Sequence, residues 1–289
     1  MRDYIIVAES GADLPARIAE RDDVYIVQMH VEMDGVNYLD NDLDLDQLVA
    51  YHKRTGHVPK TAGSNPAQYA ETYAQIKQAH PDAIVLHICY SAQLSVSYQS
   101  SLIADDETQN IYHIDSKNVT MGQGIVVEKA LEMIERNPDI EPEELVDYIE
   151  DIVERVRFSF IPGDIDYLRA GGRVSNAQYL GARLLRIKPL IEVLDGLMIS
   201  TKKYKGSRLD IMRQAMVDFL EAHEIEKDKM YFGYVYSLDD EVKEELESLA
   251  RQAGVGEVEW IKAGAVITSH AGPGGIGILG VGVPQAGVL

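Results

Sequence analysis

The stretch Ala83 to Ser101, AIVLHICYSAQLSVSYQSS, decides the fold class. It opens on a continuous apolar run from Ala83 to Cys89, the length of a strand buried on both faces, as in a parallel sheet. Then its character changes: Ser91, Gln93, Ser95, Ser97 and Gln99 carry hydroxyls and amides, while Leu94, Tyr98 and Leu102 repeat at helical spacing. Strand, polar turn and helix start in succession put hydrogen-bond donors at the carboxyl end of a strand, beside a helix N-terminus. Open α/β sheets hold ligands there, often anions. The plainer alternative is that Ser95 or Ser97 only caps the helix.

Working outward, the first half repeats this pattern. Tyr4 to Ala8 reads as a buried strand, and Glu9 to Pro15 as a polar turn that starts a short helix. Val24 to Met33 alternates like one strand, and Asp34-Gly35 signals a hairpin toward Val36. Lys60 to Pro66 is a second polar turn; Ser64 or Asn65 can cap, and Tyr69, Tyr73 and Ile76 form a helical stripe. Ile111 to Ile114 is a strand, followed by helices over Thr120 to Arg136 and Pro142 to Val156. The repeat predicts a parallel sheet with helices on both faces.

The second half mixes hairpins with helices, which predicts an α+β domain against a mixed sheet. Phe158 to Ile161 is a strand, and Asp164 to Arg169 a helix ended by Gly171-Gly172. Ala177 to Arg186 reads as helix, with Leu180, Leu184 and Ile187 on one face. Strands over Lys188 to Leu194 and Leu197 to Tyr204 flank Asp195-Gly196, another hairpin signal. The fold class is thus α/β, with a parallel-sheet domain over 1–158 and an α+β domain over 159–289. The final glycine-rich segment is free to pack back on the first.

Composition bounds the function. The 289 residues are 46% hydrophobic, enough for a sizeable core. A net charge of -20 argues against nucleic acid as a partner. The single cysteine, Cys89, excludes an intrachain disulfide and cannot by itself supply a metal cluster, so a reducing, cytoplasmic setting is expected. The apolar start ends at Glu9, too early for a signal peptide. The uncharged tail is broken by Gly272-Pro273-Gly274-Gly275 and Pro284, which argues against stable membrane insertion. Asp40, Asp42, Asp44 and Asp46 are spaced like a calcium loop, but Leu45 and Tyr51 stand where glycine and glutamate are needed, so a solvated loop is expected.

Gly272 to Gly277 satisfies G-x-G-x-x-G, yet only twelve residues follow and none is acidic, which excludes a dinucleotide site. No G-x-S-x-G surrounds a candidate serine, and there is no Walker-type loop or kinase signature. Serine, threonine, histidine and arginine without a clear base or metal suit binding better than catalysis. The expectation is a protein with no catalytic residue, no metal and no cofactor. Gly171-Gly172-Arg173 can hold an anion, although an exposed helix-end arginine is the commoner case, and His270 lies just before the glycine-rich turn, where the plainer alternative is a structural turn histidine.

Together these turns resemble the DegV family of fatty-acid-binding proteins over nearly the whole chain. Glu9-Ser10-Gly11-Ala12-Asp13-Leu14-Pro15 is similar to D-S-x-x-D-L-P, with Glu9 for aspartate. Lys60-Thr61-Ala62 is similar to K-T-S, with Ala62 for serine. Leu94 to Ser100 is similar to L-S-G-T-Y-Q-S, with Val96 for glycine and Ser97 for threonine. Ile114 to Ser116, Tyr167 to Arg173 and His270 to Gly274 also match.

The resemblance implies a DegV-like two-domain fold with an acyl chain buried between the domains. It implies a long-chain fatty acid as ligand, its carboxylate held at Thr61, Ala62 and Ser95, with His270 and Arg173 beside it. Leu180, Leu184, Ile187, Ile191 and Val193 are candidate walls for the tail, though an ordinary core explains them equally well. It further implies a carrier that presents the acid to a separate fatty acid kinase subunit. The rival class is an enzyme acting on a small phosphorylated metabolite, with Ser95 and Arg173 on its phosphate.

Overall fold

The computed structural model describes residues 2–105, 110–174 and 187–284. In chain order its strands are β1 (Tyr4–Glu9), β2 (Val24–Val27), β3 (His30–Met33), β4 (Val36–Leu39), β5 (Lys60–Ala62), β6 (Ile84–Cys89) and β7 (Ile111–Asp115). They continue as β8 (Val156–Ile161), β9 (Ile187–Leu194), β10 (Leu197–Lys205), β11 (Lys229–Tyr234), β12 (Glu257–Lys262) and β13 (Ile276–Val281). The helices are α1 (Ala16–Ala19), α2 (Leu45–Thr55), α3 (Pro66–Ala79), α4 (Ser97–Ala104), α5 (Met121–Arg136), α6 (Pro142–Arg155), α7 (Ile165–Gly171), α8 (Arg208–Ala222), α9 (Asp240–Gln252) and α10 (Ala265–Ala271).

Two compact units emerge. One comprises Met1–Asp44, Pro59–Glu154 and Gly264–Val266; the other comprises Leu45–Val58, Arg155–Ala263 and Ile267–Leu289. The first is built on a parallel sheet of order β2-β1-β6-β7. Its middle strands are buried at every position, because helices cover both faces. Tyr69, Tyr73 and Ile76 of α3 pack on Ile5, Val7 and Val85, while α5 lies against β1 and β6. Asn65 caps α3 through a capping box with Gln68, and Pro66 takes the first helical position. A small antiparallel sheet, β4-β3-β5, completes this unit. Its β3–β4 turn is Asp34-Gly35, both at positive φ as a two-residue hairpin of this kind requires.

The region read as one strand over Val24 to Met33 is two strands in two different sheets. The break falls at Gln28-Met29, where the Met29 amide leaves the ladder and donates to Ser10 Oγ at 2.9 Å. The aspartate-rich segment is not uniformly solvated either. Asp42, Asp44 and Asp46 are exposed, but Asp40 is buried and accepts from Ser10 Oγ at 2.8 Å.

The second unit carries a mixed sheet of order β10-β9-β8-β13-β11-β12, in which only β11 and β12 pair in parallel. Helices α8 and α9 cover one face, with Met216, Phe219, Phe232 and Leu246 at the centre of that core. Leu190 points into it, so Ile191 and Val193, both buried, belong to the opposite face of β9. The helix expected over Ala177 to Arg186, with Leu180 and Leu184, lies outside the described residues.

Candidate functional site

The carboxyl end of β6 leads through Ser91 and Leu94 to α4, which starts at Ser97. Ser95 Oγ accepts from the Ser97 amide at 3.2 Å and donates to Ser97 Oγ at 3.0 Å. Ser95 therefore satisfies a helix-start donor, while Val96, at the cap position itself, caps nothing with its side chain and is 65% exposed. The turn after β5 closes on this pair: the Ser64 amide donates to Ser97 Oγ at 3.2 Å. A Cβ at Gly63 would fall 2.7 Å from both Ser95 Oγ and Ser97 Oγ. Only glycine lets the two turns approach so closely. Thr61, on β5 opposite Val31, thus belongs to a strand whose following turn touches Ser95; Thr61 and Ser95 are half-buried, Ala62 is exposed. The sequence reading named Thr61, Ala62 and Ser95 but missed Gly63, whose role is the space it leaves empty.

Beneath these turns lies a buried polar network that the sequence reading also missed. Glu9 Oε1 accepts from Tyr69 Oη at 2.6 Å and meets His87 Nε2 at 3.1 Å. Glu9 Oε2 accepts from the Tyr90 amide at 2.9 Å and from Gln123 Nε2 at 2.7 Å. Burial alone would push the Glu9 carboxyl up. The His87 imidazole, Tyr69 and the Tyr90 amide outweigh it and hold the group below its ordinary value. Burial and the Glu9 charge push the Tyr69 phenol up, so it stays a neutral donor, and Ser97 reaches its oxygen. The available signal was a glutamate and a histidine inside otherwise apolar strands. Among the described residues, His87, Cys89 and His113 form a group able to hold a metal ion.

The second unit assembles the other two motif residues. His270 sits just before the glycine-rich turn, in the last helical turn of α10, and is half-buried. A Cβ at Gly171 would fall 2.2 Å from His270 Nδ1, so the first glycine of Gly171-Gly172-Arg173 makes room for the ring. Asp164 caps α7, and Gly172, at φ 66°, ends it. Arg173 is exposed and donates from Nη1 to the Gly171 carbonyl at 2.7 Å. Burial, and then the Arg173 charge, lower His270 to about 4, so at neutral pH it is an uncharged imidazole. Two further cations, unremarked in the sequence, hold this region: Lys188 Nζ donates to the Gly163 carbonyl at 2.5 Å, and Arg208 Nη2 to the Gly274 carbonyl at 2.9 Å. Thr61, Ala62 and Ser95 thus cluster in the first unit, His270 and Arg173 in the second.

Known proteins can be set beside this arrangement. A family model described as "Uncharacterised protein, DegV family" matches residues 4–282. A DegV domain-containing protein of Caldanaerobacter subterraneus subsp. tengcongensis is 27% identical over 288 residues, covering 96% of this chain and 98% of its own. The structure is similar to that of a DegV family protein from Thermus thermophilus, described as fatty acid binding. There the TM-score is 0.86 at 25% identity, covering 98% of this chain and 100% of that one. It is also similar in fold to the Streptococcus pneumoniae fatty acid kinase B3 protein loaded with linoleic acid, with TM-score 0.83 at 19% identity, covering 97% and 100%. With a family match that spans nearly every residue and the family's motif turns folded against one another, this chain belongs to the DegV family.

Proposed function

We propose that this protein binds a long-chain fatty acid, whose carboxylate is held by Thr61 and Ser95 at the exposed Ala62 turn, and presents it to a separate fatty acid kinase. The observation that carries the reading is the approach of the turn after β5 to Ser95 and Ser97, permitted by Gly63. It gathers half-buried hydroxyls from two elements, as a carboxylate needs. The fatty acid described for the Thermus thermophilus relative supports the ligand class. The kinase role is supported by likeness of fold to the Streptococcus pneumoniae protein.

Each charge-assisted bond to the carboxylate contributes about 1–3 kcal/mol, and each buried methylene roughly 0.8 kcal/mol. The tail therefore dominates affinity, while the hydroxyls fix the head. Lipid extraction and native mass spectrometry of the purified protein should show one fatty acid per chain. Changing Thr61→Val with Ser95→Ala should weaken binding about 10- to 100-fold, measured where the variant is fully folded, since losing the Ser95 bond to the Ser97 amide itself costs about 0.5–2 kcal/mol. Unaltered binding by the double variant would sink the head-group assignment. With a fatty acid kinase and ATP, acyl phosphate should form only when this protein is present; formation at the same rate without it would rule out the presenting role.

A further inference from the structure

His87 and His113 are partners in register on the parallel strands β6 and β7, and Cys89 follows two residues along β6 on the same face. Tyr73 of α3 and Ser101 of α4 close over that face. Both histidines have their outer nitrogen engaged by a carboxylate. His87 Nε2 meets Glu9 Oε1 at 3.1 Å, and His113 Nε2 meets Asp105 Oδ2 at 3.3 Å. Such partners hold a proton on Nε2 and turn the Nδ1 lone pair inward, as the carboxylates behind metal-bound histidines do. The two Nδ1 atoms then face each other at 3.3 Å. A proton on one nitrogen, or a cation between the two, satisfies that contact. The distance is also the edge of a tetrahedron with arms of roughly 2.0 Å, the zinc–imidazole bond length. One ligating atom from each of His87, Cys89 and His113 lies within 4.8 Å of the other two.

We propose that His87, Cys89 and His113 form a buried metal site for Zn2+, a borderline-soft cation that takes imidazole and thiolate together. The hydroxyls of Tyr73, 3.0 Å from His87 Nδ1, and Ser101, 3.3 Å from His113 Nδ1, border the fourth corner. As the Zn–S bond forms, the thiol proton leaves to solvent, so binding tightens with pH. The thiolate and the carboxylates of Glu9 and Asp105 offset the charge of the ion. Glu9 also accepts from Tyr69, whose oxygen Ser97 reaches, so an ion here stiffens the network under Ser95. The site stands independently of the fatty acid reading.

The test uses the full chain without a histidine tag, stripped by chelator. One equivalent of Co2+ should give a thiolate-to-cobalt charge-transfer band with a tetrahedral visible spectrum. One equivalent of Zn2+ should abolish both and raise the melting temperature. Cys89→Ser should lose the charge-transfer band and bind Zn2+ at least tenfold more weakly. Asp105→Asn, a change of similar size at a half-buried position, should weaken Zn2+ about 10- to 100-fold through His113. The control His80→Gln, whose ring meets Asp3, should behave as the parent. Absence of the cobalt band with an unmoved melting temperature overturns the site. A band that survives Cys89→Ser, or unweakened Zn2+ binding by Asp105→Asn, overturns it as well.

Discussion

A single missing methyl group shapes the neighbourhood of His270. A side chain at Gly171 would fall 2.2 Å from His270 Nδ1, so either the ring or the end of α7 must move. Gly171→Ala should cost about 1–3 kcal/mol of stability, as overpacking does, measured by urea unfolding; an unchanged midpoint would mean that the ring yields freely. The lowered basicity of His270 gives a second handle. Its pKa is about 4 in the fold against an ordinary 6.5, so between those values the unfolded chain binds the extra proton. The stability it contributes is complete above pH 6.5 and is lost as the pH falls toward 4. His270→Gln should therefore flatten the melting temperature across pH 6.5 to 4. A slope identical to that of the parent would show that His270 is not the group responsible. Glu9 acts in a lower window: held below its ordinary 4.5, it supports the fold above that value and ceases to as the pH drops further.

Among the elements, two were concealed by the sequence: β5, whose Lys60–Ala62 was read as part of a polar turn but pairs with β3, and α10. AVITSHA carries β-branched residues and follows Gly264 in an uncharged, glycine-rich tail, a composition that favours strand and turn over helix. Its start is held from a great distance in the chain. Asp13 Oδ1 accepts from the Gly264 amide at 2.7 Å, and Asp40 Oδ1 from the Val266 amide at 2.7 Å. No local window contains those partners. Asp34-Gly35 and Asp195-Gly196 were legible for the opposite reason, since a two-residue turn keeps its whole chemistry in adjacent positions. Likewise β1 and β6 were legible because burial on both faces makes them apolar throughout. Burial, reinforced by the charge of Asp40 and opposed by Thr120 and the Gly264 amide, pushes Asp13 up to about 8. The folded chain then keeps a proton that the unfolded chain releases above 3.8, so this contribution is lost as the pH rises toward 8. Asp13→Asn should keep the acceptor for Gly264 and flatten stability between pH 5 and 8, whereas Asp13→Ala should flatten it too and lie about 1–3 kcal/mol below Asp13→Asn at every pH. Equal pH dependence in parent and Asp13→Asn would mean that Asp13 is ionised in the fold.

At the scale of the whole molecule, 47 acidic residues against 27 basic ones set the behaviour toward charged surfaces. Among the described residues no helix is long and apolar enough to cross a membrane. Adsorption to phosphatidylglycerol vesicles at neutral pH should therefore be weak; strong, salt-sensitive sedimentation with such vesicles would contradict this. The candidate head-group site was legible only as motif letters. Thr61 and Ser95 stood out by likeness, but the approach through Gly63 and the Glu9 network below are properties of packing, which no spacing encodes. The position of β13 bears on how the protein is made. It runs between β8 and β11, pairing with Val156 at one edge and Tyr231 at the other, yet it follows every other strand of its sheet in the chain. Until it is synthesised, β10-β9-β8 and β11-β12 are separate ribbons, each with an open, apolar edge that another chain can join. The second unit therefore matures late, by closing contacts far apart in sequence, which is slow. A ribosome paused after β12 displays the surface most in need of a chaperone.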